Sequence, residues 1–157
     1  MLHTVRFITV WFAALGLAPG AAHVLELPVK MRYDAQMYAA VTSSLYQLFG
    51  SVGAMIQLGS VLMAAWLTVL TRSRPSFRAT LAGTTGLALS IVLWAALVAP
   101  VNAEWGRVIE SAPHAVPNAY LQLRNRWEYG HVAAFAAWLM GFSILLHAAI
   151  NRRLEES

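Results

Sequence analysis

Long runs without a charged residue dominate this chain. Residues 7–25, 35–71, 79–103 and 129–151 contain no Asp, Glu, Lys or Arg, and together they hold 104 of the 157 residues. Apolar positions inside them run on without the strict alternation of outer-membrane barrel strands. A bilayer core about 30 Å thick takes roughly 20 apolar residues per crossing helix. Each run therefore supplies about one span, and the pattern predicts an all-α polytopic membrane protein, a four-transmembrane-helix bundle.

Proline, glycine and charge then set the predicted ends. The first helix is read over 4–27, kinked at Pro19 and stopped by Pro28, with Gly16 and Gly20 as a close-packing pair. Arg6, the apolar run and Gly20-Ala21-Ala22 imitate a secretion signal, but the helical pattern continues past that point. The second run is too long for one span and too polar at its start for two, so one helix over 37–70 is expected, its first turns outside the hydrocarbon. A basic turn with Arg72, Arg74, Pro75 and Arg78 leads to a third helix over 79–99, ended by Pro100. The segment 101–119, with Pro113 and Pro117, reads as a lid loop. A fourth helix is expected over 120–150.

Composition sharpens this picture in two places. Only 11% of residues are charged and 59% are hydrophobic, which excludes an ordinary soluble enzyme and a disordered chain. The absence of cysteine removes disulfides, thiolate metal sites and thiol redox chemistry. The net charge of +4 comes without an aromatic-interleaved basic patch, so no nucleic-acid partner is expected. With four spans, Arg6, Arg72, Arg74, Arg78, Arg152 and Arg153 share one side. The positive-inside rule then puts both termini in the cytoplasm of a bacterial inner membrane.

The polar residues inside these apolar spans gather near the other, periplasmic end. Helix 1 carries His23 and Glu26, three residues apart and so on one face. Helix 4 carries Arg124, Glu128 and His131 at i, i+4 and i+7, again one face. Helix 2 adds Ser43 and Gln47, and helix 3 ends at Pro100-Val101-Asn102. Ionisable groups within spans are costly and mark functional sites. His23, Glu26, Glu128 and His131 form a candidate ligand set for one non-haem iron, copper or zinc, since two carboxylates are too few for a bridged metal pair. The carboxylates can instead orient the histidines, or Arg124–Glu128 and Lys30–Glu26 can be plain ion pairs. A haem clamped by His23 and His131 is disfavoured by the flanking carboxylates. Trp66 and Trp94 read as interface anchors.

The strings Gly20-Ala-Ala-His23-Val-Leu-Glu26-Leu-Pro28-Val-Lys30, Pro100-Val-Asn102 and Leu123-Arg124-Asn-Arg126-Trp127-Glu128-Tyr-Gly-His131 resemble the small four-helix membrane proteins that include the anthrone oxygenases, in their bacterial branch. The resemblance implies oxidation of an anthrone to an anthraquinone by molecular oxygen, often without a cofactor. His23-x-x-Glu26 and Glu128 depart from that family's pattern. A buried base suits such chemistry, because deprotonation makes an aromatic electron-rich enough to reduce oxygen. His131 or Glu26 is the expected base, Arg124 and Asn102 the expected oxyanion donors, and Ser43, Gln47, Trp105 and Trp127 the expected substrate lining. The expectation is a membrane oxidoreductase acting on a lipophilic aromatic or quinone-like molecule that enters from the bilayer. The alternatives are a non-catalytic protein binding a metal or small ligand, and a structural or assembly subunit.

Overall fold

A computed structural model describes residues 1–46 and 48–151. The fold is all-α, and four of its helical stretches, Leu2–Lys30, Phe49–Leu70, Phe77–Ser111 and Pro113–Ile150, are long and apolar enough to cross a membrane. Large apolar side chains such as Phe7, Leu62, Trp66, Val92 and Met140 point outward, as lipid-facing surface does.

The first stretch is bent into α1 (Leu2–Leu15) and α2 (Leu17–Lys30). Pro19 has no N–H to offer the Leu15 carbonyl, and the chain turns at Gly16. Nε2 of Gln57 donates to the Gly16 carbonyl at 3.1 Å, bracing the bend from the next span. Contrary to the expected stop at Pro28, α2 continues to Lys30. That extension carries a lysine into the bundle.

The expected 37–70 helix is two pieces. α3 (Ala35–Leu45) begins at Asp34, whose side chain accepts from the Met37 N–H at 2.8 Å, a standard N-cap. A π-helical turn, Phe49–Gly53, leads into α4 (Ala54–Leu70). Gln47 lies outside the described residues.

The expected lid is a correction: 101–119 is nearly all helix. α5 (Phe77–Leu93) runs through a π turn, Trp94–Val98, into α6 (Ala99–Ser111). Pro100 sits in the first turn of α6, where a missing N–H costs least. The Ala96 carbonyl, four residues before that proline, accepts from the Arg126 guanidinium at 3.3 Å. Val101, Trp105 and Val108 recur at helical spacing and are buried, which holds α6 against the bundle. Pro113 opens a 3₁₀ turn, Pro113–Ala115, and Pro117 lies in the first turn of α7 (Val116–Ile150). Neither proline therefore breaks the chain into a loop.

Helix α7 packs against α5 along much of its length and also meets α2, α3 and α6. Its crossing with α5 rests on three glycines. A Cβ on Gly141 would lie 2.6 Å from the Leu87 nitrogen and 2.7 Å from the Gly83 carbonyl, and one on Gly86 would lie 2.7 Å from Gly141 Cα. Backbone cannot yield as a side chain tip can. Gly141→Leu is accordingly expected to cost at least the ~1–3 kcal/mol of ordinary overpacking. Thermal unfolding in detergent checks this; an unchanged midpoint would show that the helices separate freely. Trp138, 1% exposed, fills the space over Gly16 and donates from Nε1 to the Ala13 carbonyl at 2.9 Å, tying α7 to α1. At the end near residues 71–77, Arg6 donates to Ser76 at 3.1 Å and the Thr68 and Thr84 hydroxyls meet at 2.9 Å.

Candidate functional site

Away from the 71–77 turn the bundle opens around a cavity of about 530 Å³. This lies within the roughly 300–1,000 Å³ usual for small-molecule sites. Aromatic rings form much of its wall: Tyr46, Phe49, Trp94, Trp105 and Trp127 all border it. Polar groups are few and come from different helices. They include His23 from α2, Ser43 from α3, Gln57 from α4, Asn102 from α6 and His131 from α7.

The two histidines are paired. Their rings stack with centres 3.9 Å apart and planes 28° from parallel. Trp127 stands edge-on to both, and Tyr46 stacks on the far face of His23 at 4.7 Å. His131 Nδ1 lies 2.9 Å from the carbonyl of Trp127, one turn earlier on α7. A carbonyl only accepts, so Nδ1 carries the proton and Nε2 keeps a lone pair.

Behind the pair is a buried charged cluster. Lys30 and Glu128 are each 1% exposed, and their Nζ and Oε2 atoms are 2.9 Å apart. Nζ also reaches His23 Nδ1 at 3.3 Å and lies about 5 Å from the Tyr46 and Trp127 ring centres, a cation–π seat. The Tyr38 hydroxyl donates to the other carboxylate oxygen at 3.0 Å. Oε2 itself accepts no well-angled hydrogen bond, and the nearby ammonium supplies its compensation. Burial and then the Glu128 carboxylate push the Tyr38 phenol above its usual range, so it stays a donor. Tyr46 hydrogen-bonds Glu26 through its hydroxyl.

Asn102 is oriented by a neighbour. Nε1 of Trp127 can only donate, and it meets Asn102 Oδ1 at 2.6 Å, so the amide nitrogen is the end left over at the cavity wall. Trp105 is fixed in the same way, donating to Thr42 Oγ1 at 3.0 Å.

The expected site residues thus divide. His23, His131, Asn102, Ser43, Trp105 and Trp127 border one cavity. Trp94, expected only as an anchor, borders it too, whereas Trp66 faces outward. Glu26 and Glu128 stand outside the lining. Arg124 turns away: it bonds the Tyr120 hydroxyl and reaches the Met31 carbonyl at 3.4 Å, capping the end of α2. It does not pair with Glu128, and Lys30 pairs with Glu128 rather than with Glu26. Among the described residues, no three His, Asp or Glu side chains converge to hold a metal ion. The Lys30 ammonium stands between His23 and Glu128, where an ion shared by them would have to sit, so this donor set as arranged does not fit one.

Tyr38 is the central residue missing from the sequence expectations, and Lys30 was expected only as a partner for Glu26. The signal for Lys30 was its spacing, seven residues after His23, which places both on one face once α2 runs past Pro28.

The fold and site define a four-helix membrane bundle with an aromatic, histidine-bearing cavity at one end. Comparison with family models, with curated proteins and with solved structures finds no match to this chain.

Proposed function

We propose that this protein is a membrane-embedded oxidoreductase that binds a lipophilic hydroxylated aromatic molecule and oxidises it to a quinone-like product with molecular oxygen. The observation that carries the reading is the cavity wall, where His131 presents an unshared lone pair on Nε2 among aromatic rings. A base in a site that excludes water can remove a hydroxyl proton, and the resulting anion is a far better electron donor than the neutral ring. The Trp127 carbonyl, already bonded to Nδ1–H, stabilises the imidazolium that forms, and the Asn102 amide nitrogen is available to the developing oxyanion. Two electrons and two protons pass from a dihydroxyarene to oxygen, giving the quinone and hydrogen peroxide.

Substrate reaches such a cavity from the bilayer. Helices α4 and α5 are in contact, yet Leu58 of α4 and Ala95 of the π turn after α5 border the cavity and are exposed. That leaves an apolar mouth on the lipid-facing side.

Oxygen uptake by detergent-solubilised protein, given anthrone and 4-tert-butylcatechol, tests the reading. Substrate-dependent uptake that His131→Gln lacks is expected; no uptake above buffer by the wild-type protein sinks it. Elemental analysis of the same preparation bears on the chemistry, because one iron, copper or zinc per chain would move oxygen activation to a metal. The arginine distribution supports a bacterial inner-membrane protein with both termini in the cytoplasm and the cavity toward the periplasm. Reporter fusions at Ser157 and near Pro113 check this, and reversed polarity would overturn it.

A further inference from the structure

The cavity presents two histidines of the same chemistry, yet the groups behind them give the two rings opposite hydrogen-bonding characters. His131 Nδ1 donates to the Trp127 carbonyl, which makes its Nε2 an acceptor. His23 Nδ1 faces Lys30 Nζ at 3.3 Å, and Nζ is also 2.9 Å from the Glu128 carboxylate. An ammonium has three donors and no acceptor, so His23 Nδ1 must accept and its Nε2 must carry the proton. Among the described residues neither Nε2 has a hydrogen-bond partner, and both rings border the cavity. With ring centres 3.9 Å apart and planes 28° from parallel, that donor and that acceptor belong to neighbouring rings of one cavity wall.

From this we infer that the paired imidazoles recognise two oxygens on neighbouring carbons of an aromatic ring, a vicinal dihydroxyarene, with Lys30 as the positioning residue that makes His23 the donor. One hydroxyl donates to His131 Nε2, and the adjacent oxygen accepts from His23 Nε2–H. A lone hydroxyl oxygen must either serve both imidazoles through bent hydrogen bonds or leave one of them unpaired, and either costs affinity in a water-poor site. The flat walls of Trp127 and Tyr46 favour a planar ring system beside the pair. Lys30 itself does not border the cavity; it acts through His23. The inference rests on the oxidoreductase reading for its substrate, but its test is one of binding alone.

Isothermal titration calorimetry on the detergent-solubilised full chain compares 2,3-dihydroxynaphthalene with 2-naphthol. The wild-type protein is expected to bind the diol at least tenfold more tightly. His23→Phe keeps an aromatic ring in the stack but removes Nε2, and should reduce the preference below threefold. The double variant Lys30→Met with Glu128→Leu removes the ion pair together and frees the His23 tautomer, so it should also lose the preference. Equal affinities in the wild-type protein, or a tenfold preference surviving in either variant, overturn the inference. Oxygen consumption without a diol preference overturns this recognition alone. A diol preference without oxygen consumption overturns the oxidation and leaves the recognition standing.

Discussion

Lys30→Met is expected to destabilise the bundle by about 3–5 kcal/mol, the usual cost of breaking a buried ion pair from one side. The reason is what remains. Glu128 is 1% exposed, its Oε1 is held by Tyr38, and its Oε2 has only the Lys30 ammonium for compensation. Methionine fills much of the lysine's volume, so little of the loss comes from a cavity. Adding Glu128→Leu should recover most of the loss, because two apolar residues replace two charges and no uncompensated carboxylate is left. Unfolding in detergent, followed by circular dichroism, distinguishes the cases. A single variant no less stable than the double would show that Lys30 and Glu128 are not a coupled pair.

The same cluster shows where sequence reasoning stops. The four spans were legible because long charge-free runs in a chain this apolar match the length of a bilayer crossing. The gathering of His23, Asn102, Trp127 and His131 was legible from helical spacing and from their shared depth. Which cation meets which carboxylate was not. Arg124 precedes Glu128 by one turn, and Lys30 follows Glu26 by one turn, so local spacing favours Arg124–Glu128 and Lys30–Glu26. The structure instead pairs Lys30 with Glu128 across the bundle and sends Arg124 to the end of α2. Inter-helix distances decide this, and they depend on whether α2 survives Pro28.

Proline misled in the same way at Pro100. Its cost is one hydrogen bond and one clash, and both can be absorbed. A π turn widens the helix before Pro100, and Arg126 from α7 meets the Ala96 carbonyl. None of these partners is near in sequence. A residue read as a helix stop thus became the start of α6, which carries Asn102 and Trp105 to the cavity wall.

His131→Gln should lower turnover by about 10²–10⁴-fold, the range for losing a positioned general base. Glutamine offers an amide of similar reach, so it can still accept a hydrogen bond from a ligand hydroxyl, but it cannot take up the proton. Binding should therefore change little while kcat falls, which separates a role in the reaction from one in packing. The stack on His23 and the edge contact with Trp127 would be lost as well, so affinity for 2-naphthol, measured by calorimetry, is the internal control. Added imidazole supplies a diffusible base of the same chemistry to a cavity large enough to admit it, and should restore part of the rate. Loss of turnover with equal loss of binding would instead make His131 a wall of the site. Turnover within threefold of wild type would remove it from the reaction and turn attention to the carboxylates, Glu26 held by Tyr46 outside the cavity lining and Glu110 within it.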